Sequence, residues 1–279
     1  MLTIDPTQIP TADLHQYILG AVAPRPIAFA STMGADGVPN LAPYSFFNAF
    51  SSNPPILIFS SNRRVANNTT KDTLKNVEDT GEVVINVVSH AIVRQAALCS
   101  IEYPADVDEF AKSGLTPLPS ECVVDRILPL GEKGGAGNLI VCRIVLMHID
   151  ERVLSDTGRI DPHKIDLVAR MGRFYYARAS GDAIFEVVQK VNELGIGFDA
   201  LPEGLRHSTV LSGNDLSRIA ARTVLPDRAE ILNVADDAEV KAALASGAPR
   251  EALHRLAKEA FAQGDVEKGV RLGLLFEVL

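Results

Sequence analysis

A chain of 279 residues, 47% apolar and 22% charged, has the composition of an ordinary globular protein, long enough for one large domain or one domain with an extension. Its 35 acidic and 27 basic side chains give a net charge of -8, which argues against a general nucleic-acid binder. No apolar run approaches the roughly 20 residues of a membrane span, and the first ten residues lack the basic and apolar regions of a signal peptide. The expectation is a cytoplasmic protein with no membrane partner. Aromatic content is 6% with no Trp, so Val, Ile, Leu and Ala must fill the core. Cys99, Cys122 and Cys142 show no C-x-x-C spacing and read as reduced, buried thiols. The six His show no H-E-x-x-H, so no metal site is expected.

In chain order, strand signals come first. Residues 26–32 form a short apolar run, closed by Gly34-Ala35-Asp36-Gly37, whose Asp-Gly is a hairpin signal. The returning strand spans 40–51. Pro54-Pro55 breaks the chain, and Ile56-Leu57-Ile58-Phe59 reads as a buried strand. Residues 71–80 predict a short helix with Asp72 as N-cap and Gly81 as stop. Residues 83–88 predict another buried strand, and 90–99 and 106–113 short helices. A long strand follows over 139–149, apolar on both faces, which requires cover on both sides. Hairpin-length turns, without a helix after each strand, favour an antiparallel barrel over a doubly wound sheet.

Beyond about residue 180 the pattern becomes helical. Ile184, Phe185, Val187, Val188 and Val191 follow helical spacing, as do Leu253, Leu256, Ala257, Ala260 and Phe261. Gly264-Asp265 breaks the second of these, and residues 266–279 resume it as the other arm of a helical hairpin. The chain therefore divides into residues 1–180, mainly β, and a helical extension over 181–279.

G-x-S-x-G, Walker A and G-x-G-x-x-G motifs are absent. The glycine-rich stretch 131–137 leads into a strand and not a helix, so it reads as a hairpin loop. Three segments are more specific: Pro24-Arg25-Pro26-Ile27-Ala28-Phe29-Ala30-Ser31-Thr32; Asn40-Leu41-Ala42-Pro43-Tyr44-Ser45-Phe46-Phe47-Asn48; and Lys71-Asp72-Thr73-Leu74-Lys75-Asn76 followed by Gly81-Glu82-Val83-Val84-Ile85-Asn86-Val87. Together they strongly resemble the flavin reductase-like family with the FMN-binding split barrel, in particular the reductase components of two-component flavin monooxygenases. The resemblance runs from about Ile18 to Arg178. It implies an antiparallel split β-barrel with short helices, FMN as cofactor, NADH or NADPH as electron donor, a homodimer, and a monooxygenase component as partner.

FMN pairs a dianionic phosphate with a broad ring edged by donors and acceptors. Lys71, Asp72 and Thr73 offer the phosphate a cation, helix N-terminal amides and a hydroxyl. The resemblance places the ring on the first hairpin, at Ser31, Thr32, Ala42, Pro43, Tyr44 and Ser45. Pro43 inside a strand supports a bulge or an edge, where backbone groups remain open to a ligand. Ser60, Asn62 and Arg63 follow the next strand toward the phosphate. Arg25, held between two prolines, supports the site, and Arg170 and Tyr175 match the family's late segment. Hydride transfer to a flavin requires no acid–base residue, so no catalytic residue is assigned; His163 and His207 are the available proton donors. In the extension, Arg206, His207 and Ser208 are candidates for contact with a small anionic organic substrate.

Three readings remain open on the sequence. The leading one is an FMN-dependent NAD(P)H:flavin reductase that supplies a separate monooxygenase. The second is an enzyme that keeps its FMN and acts on a small organic substrate, with the extension shaping the pocket. The third is a non-catalytic flavin-binding partner protein.

Overall fold

The computed structural model describes residues 1–118, 120, 122–187 and 192–279. The chain forms two compact units, Met1–Phe185 and Glu186–Leu279. No helix among the described residues is long and apolar enough to cross a membrane.

The first unit opens with helix α1 (Thr11–Ala21), which the sequence pattern did not announce. Strands β1 (Ala28–Met33) and β2 (Pro39–Tyr44) form the expected hairpin, with Ala28 opposite Tyr44 and Met33 opposite Pro39. Its turn closes through the Gly34 N–H donating to Val38 O at 2.9 Å. Gly37 adopts φ +83°, a value that L side chains avoid. Further on, β3 (Phe47–Ser52), β4 (Pro55–Ser60), helix α2 (Asp72–Thr80), β5 (Val84–Val87), helices α3 (Val93–Leu98) and α4 (Glu109–Ser113), and strands β6 (Cys122–Pro129), β7 (Asn138–Ile144), β8 (Val168–Arg170) and β9 (Tyr176–Arg178) complete the unit. They build three antiparallel sheets, ordered β2-β1-β5, β3-β4-β7-β6 and β8-β9.

Strand β1 is buried on both faces. Ala28 and Ala30 enter a core with Tyr44, Phe59, Leu74, Val77, Ile140 and Cys142. Ile27 and Phe29 enter a second core with Leu41, Val88, Ala96, Cys99 and Val168. The two-sided cover expected for residues 139–149 therefore belongs to β1. Strand β7 ends at Ile144, where its last rung pairs with Cys122, and its last rung to β4 pairs Arg143 with Ile56. Without a ladder partner among the described residues, the chain beyond leaves the sheet, and Val145, Leu146, Met147 and Ile149 are exposed.

The expected strand over 40–51 is in fact two strands in different sheets, β2 and β3, separated by a bend at residues 45–46. Tyr44 turns into the core while residues 48–52 face outward, so one straight pleat cannot serve both. Strand β6 was missed because Asp125 and Arg126 interrupt its apolar run, where the structure places an irregularity in register. Helix α2 starts at Asp72 with Lys71 as an extended N-cap and no side-chain cap, which corrects the assignment of Asp72 as the cap. Gly81 ends the helix at φ +72°, as expected. The glycine-rich stretch 131–137 is the β6–β7 hairpin loop, closed by the Leu130 N–H donating to Gly137 O.

The second unit consists of α5 (Glu203–Arg206), α6 (Gly213–Ala220), α7 (Arg228–Leu232), α8 (Ala238–Leu244), α9 (Pro249–Ala262) and α10 (Val266–Val278). The expected α9–α10 hairpin is present. Gly264 takes φ +83° in its turn, and Asp265 caps α10 by accepting from the Lys268 N–H at 3.0 Å. Leu205, Ile219, Val240, Leu253, Ala257, Phe261 and Val270 are at the centre of a core without Trp or Tyr. The helical spacing at 184–187 does not produce a helix: Phe185 and Val187 are 78% and 68% exposed and a 3-10 turn, Gly181–Ala183, precedes them. Val188 and Val191 lie outside the described residues.

Candidate functional site

Two cavities adjoin the start of α2. The larger, about 590 Å³, is lined by Asn62, Arg63, Arg64 and Lys71 together with His15 of α1 and Phe46. The smaller, about 70 Å³, is lined by Ala42, Pro43, Tyr44, Lys71, Asp72 and Thr73. Arg64, Lys71 and Glu102 border both. The structure thus gathers two stretches far apart in sequence, the β2 edge and residues 62–73, around one lysine.

Lys71 is half-buried and sits 5.1 Å from the Tyr44 ring centroid. Burial lowers its ammonium pKa, the nearby Arg64 lowers it further, and Glu102 acts in the opposite direction. Arg64 is held by Glu102 Oε1 at 2.7 Å and donates to Thr69 Oγ1 and Thr70 O. Arg63 donates to Asn68 Oδ1 at 2.8 Å and Asn68 O at 2.7 Å. Three cations therefore face one cavity with a single carboxylate, Glu102, among its lining residues. That is a setting for a multiply charged anion. The wall behind them is supported by the glycine loop. The Arg63 N–H donates to Ala136 O, and Ser60 Oγ donates to Asn62 Oδ1 at 2.7 Å. A Cβ on Gly137 would lie 2.6 Å from Ser60 Oγ, so only glycine permits this approach.

The first hairpin supplies the other half. Pro43 sits on β2, an edge strand of its sheet, as its missing N–H requires. Tyr44 is buried, its hydroxyl has no well-formed hydrogen bond among the described residues, and burial raises its pKa against the opposing pull of the Thr73 and Ser61 hydroxyls. Ser61 Oγ is likewise buried without a well-formed hydrogen bond. Tyr44 borders the smaller cavity beside the cationic one, a combination of polar and charged groups suited to a ligand with a phosphate and a heteroaromatic ring. The residues present fit FMN in that sense.

Other expected residues point elsewhere. Thr73 is fully buried, and its hydroxyl donates to Asn40 Oδ1 at 2.6 Å, so its backbone N–H and not its hydroxyl remains for an anion. Thr32 is buried in the same polar cluster, accepting from Asn76 Nδ2, and Ser31 Oγ donates to Val84 O. Arg25 is 5% exposed and turned inward. Its guanidinium donates to Leu19 O, Val22 O and Met171 O, and its Nε to Ser45 Oγ at 3.4 Å. It fastens the C-terminal turn of α1 to the β8–β9 connection, which makes it a supporting residue. Arg170 stacks on the Tyr176 ring at 4.7 Å, and Tyr175 lines a different cavity, formed with the N-terminal segment. His163 is exposed. In the second unit, Arg206 and His207 are exposed, while Ser208 Oγ bonds His254 Nδ1 at 2.8 Å and accepts from the Val210 and Leu211 N–H groups. His254 is buried, which lowers its pKa, with Arg250 adding to the effect.

Sequence reading assigned no individual role to His15, Phe46, Asn40 or Glu109. His15 meets the Phe46 ring edge-on at 6.1 Å, and burial followed by Arg25 lowers its pKa. Nothing local in the α1 sequence signals this, because the contact depends on where α1 docks.

Antiparallel sheets around a shared core, with a cationic cavity beside an edge strand, match the split-barrel class of flavin-associated proteins. Residues 20–162 match the flavin reductase-like domain family, and the chain belongs to that family. An uncharacterized protein of Aquifex aeolicus is 34% identical over 189 residues, covering 62% of this chain and 94% of that one. Nitrilotriacetate monooxygenase component B from Bacillus cereus superposes with a TM-score of 0.62 at 30% identity, over 67% of this chain and 98% of that one. The 2-nitrobenzoate 2-nitroreductase NbaA of Pseudomonas fluorescens shares the fold with a TM-score of 0.60 at 23% identity, over 68% and 98%. The second unit lies beyond the residues matched by the family model.

Proposed function

We propose that this protein is an NAD(P)H:flavin reductase that uses FMN and supplies reduced flavin to a separate monooxygenase component. The observation that carries the reading is the pair of adjoining cavities sharing Lys71 and Arg64, one cationic and one lined by the Ala42–Pro43–Tyr44 edge. Lys71, Arg63 and Arg64, with the free N–H groups of the first turn of α2, would hold the phosphate. The edge of β2 would hold the ring through backbone groups, with Asn62 and Ser60 shaping the wall. When bound, FMN would supply hydride-accepting, two-electron chemistry, with NADH or NADPH as the donor. The chain's own residues would bind and orient the flavin. Component B of a nitrilotriacetate monooxygenase, at 30% identity, supports the partner class.

A cytoplasmic homodimer belongs to the same reading. Exposed Val145, Leu146, Met147 and Ile149 form an apolar run suited to cover by a second subunit. Light scattering should give twice the 30.0 kDa chain mass. The decisive experiment is a visible spectrum of the purified protein followed by anaerobic NADH and NADPH titration. Rapid donor oxidation with exchangeable FMN is expected. Flavin that stays with the protein through gel filtration, with weak donor oxidation, would replace this reading by that of an enzyme acting on an organic substrate itself. Bound FMN without turnover would leave a flavin-binding partner protein.

A further inference from the structure

Along the inner wall of the smaller cavity lies a chain of buried polar groups, with Asn40, Thr73 and Glu109 among its lining residues. Glu109, on α4, is 7% exposed. One carboxylate oxygen accepts from Asn40 Nδ2 at 3.2 Å and the other from the Leu41 N–H at 3.1 Å. A carboxylate only accepts, so it dictates which way the Asn40 amide faces. Asn40 Oδ1 is thereby turned toward α2 and β1, where it accepts from the Thr73 hydroxyl at 2.6 Å and the Thr32 hydroxyl at 3.4 Å. Asn76 Nδ2 closes the cluster by donating to Thr32 Oγ1 at 3.1 Å. Asn40 and Asn76 are 9% and 7% exposed, and Thr73 is fully buried.

A buried carboxylate is a costly way to tie elements together, since an apolar packing of the same shape would spare its desolvation. Burial does raise the Glu109 pKa, against its three hydrogen bonds and with a small push from Asp72. What the carboxylate achieves is directional. It joins α4 to β2 and, through Asn40, fixes the first turn of α2 against the β1–β2 hairpin. Those are the two elements to which the proposed function assigns the phosphate and the ring.

We propose that Glu109 is a positioning residue that, acting through Asn40 and Thr73, holds the phosphate side and the ring side of the flavin site in register. This inference rests on the flavin site described above. It predicts a specific signature: the loss should fall on the preference for FMN over riboflavin, which lacks the phosphate and reports the ring side alone.

In Glu109→Gln, an amide nitrogen must face either the Leu41 N–H or Asn40 Nδ2, and Asn40 is released to flip. FMN affinity, measured by flavin fluorescence quenching on the full chain, should fall about tenfold while riboflavin affinity changes much less. Thr73→Val, which removes the far hydroxyl at nearly constant shape, should lower the same ratio. The double variant Glu109→Gln/Asn40→Asp reverses the polarity of the pair. The amide introduced on α4 then donates to the carboxylate introduced on β2 and accepts from the Leu41 N–H. That new carboxylate accepts in turn from the Thr73 and Thr32 hydroxyls, so every donor is again satisfied. The FMN:riboflavin ratio should recover. Equal weakening of both flavins in Glu109→Gln and Thr73→Val, or a double variant that melts like wild type without recovering the ratio, would overturn the proposal. Wild-type protein that binds neither flavin would overturn the site itself, and the positioning role with it.

Discussion

Lys71→Met separates ligand binding from stability. Methionine keeps the apolar stem against the Tyr44 ring and removes the charge. In the folded protein the ammonium is desolvated and sits near Arg64, so its pKa is lowered. A base whose folded pKa is depressed binds its proton less tightly than in the unfolded chain. Its ionised form therefore costs stability at neutral pH, and the cost disappears as pH rises past the unfolded value near 10.5. Removing the charge should raise the melting temperature of the flavin-free protein at pH 7. It should have the opposite effect on FMN. A charge-assisted hydrogen bond contributes about 1.5–3 kcal/mol, and the cation here is already desolvated before the phosphate arrives. The dissociation constant should rise roughly ten- to hundredfold, since about 1.4 kcal/mol is a factor of ten. Differential scanning fluorimetry and fluorescence quenching by FMN and by riboflavin measure the two effects. A melting temperature that falls with both flavins weakened equally would refute the reasoning. It would mean that Lys71 serves packing and not the phosphate.

Four further outcomes are expected. Because burial raises the Glu109 pKa, native protein binds that proton more tightly than the unfolded chain, so this group's contribution to stability declines as pH rises through the window above 4.5; the melting-temperature difference, wild type minus Glu109→Gln, should shrink from pH 4.5 to 7.5. Gly137→Ala drives a Cβ to 2.6 Å from Ser60 Oγ and should cost about 1–3 kcal/mol, with weaker FMN binding because Asn62 loses its hydroxyl partner. Gly269→Ala meets the Phe261 ring at 2.5 Å and should destabilise the helical unit by a similar amount, about 1–3 kcal/mol, read as an earlier loss of helical circular dichroism. Ser208→Ala removes the acceptor for two backbone N–H groups and the partner of His254, so thermal stability should fall by about 1–2 kcal/mol with KM for the electron donor unchanged.

Much of the first unit was legible because its signals are local. Asp36-Gly37 marks a hairpin through the backbone it permits, Gly81 ends α2 because it can adopt a left-handed conformation, and residues 131–137 join two strands because the second apolar run follows at once. Of the segments carrying the family resemblance, those around Asn40–Phe46 and Lys71–Thr73 border the two cavities, whereas residues 24–32 and 81–87 line neither. Lys71 and Pro43 each have a local chemical identity that limits what they can do.

What remained hidden depended on distant partners. The split of 40–51 into two strands follows from Tyr44 entering a core made by β4, β7 and α2, none of which is near it in sequence. Arg25 was expected to support the site, but the carbonyls it holds, from α1 and from Met171, could not be read from its own segment. Thr73 looked like a phosphate donor, but its hydroxyl donates instead to Oδ1 of Asn40, 33 residues earlier. The amino-acid pattern by itself determined the strand-rich first unit, the helical second unit and the family. Tertiary structure decided which side chains in those segments face a cavity and which are turned into the core. A hydroxyl or guanidinium is satisfied by whichever partner the fold brings closest, and no local sequence records that partner.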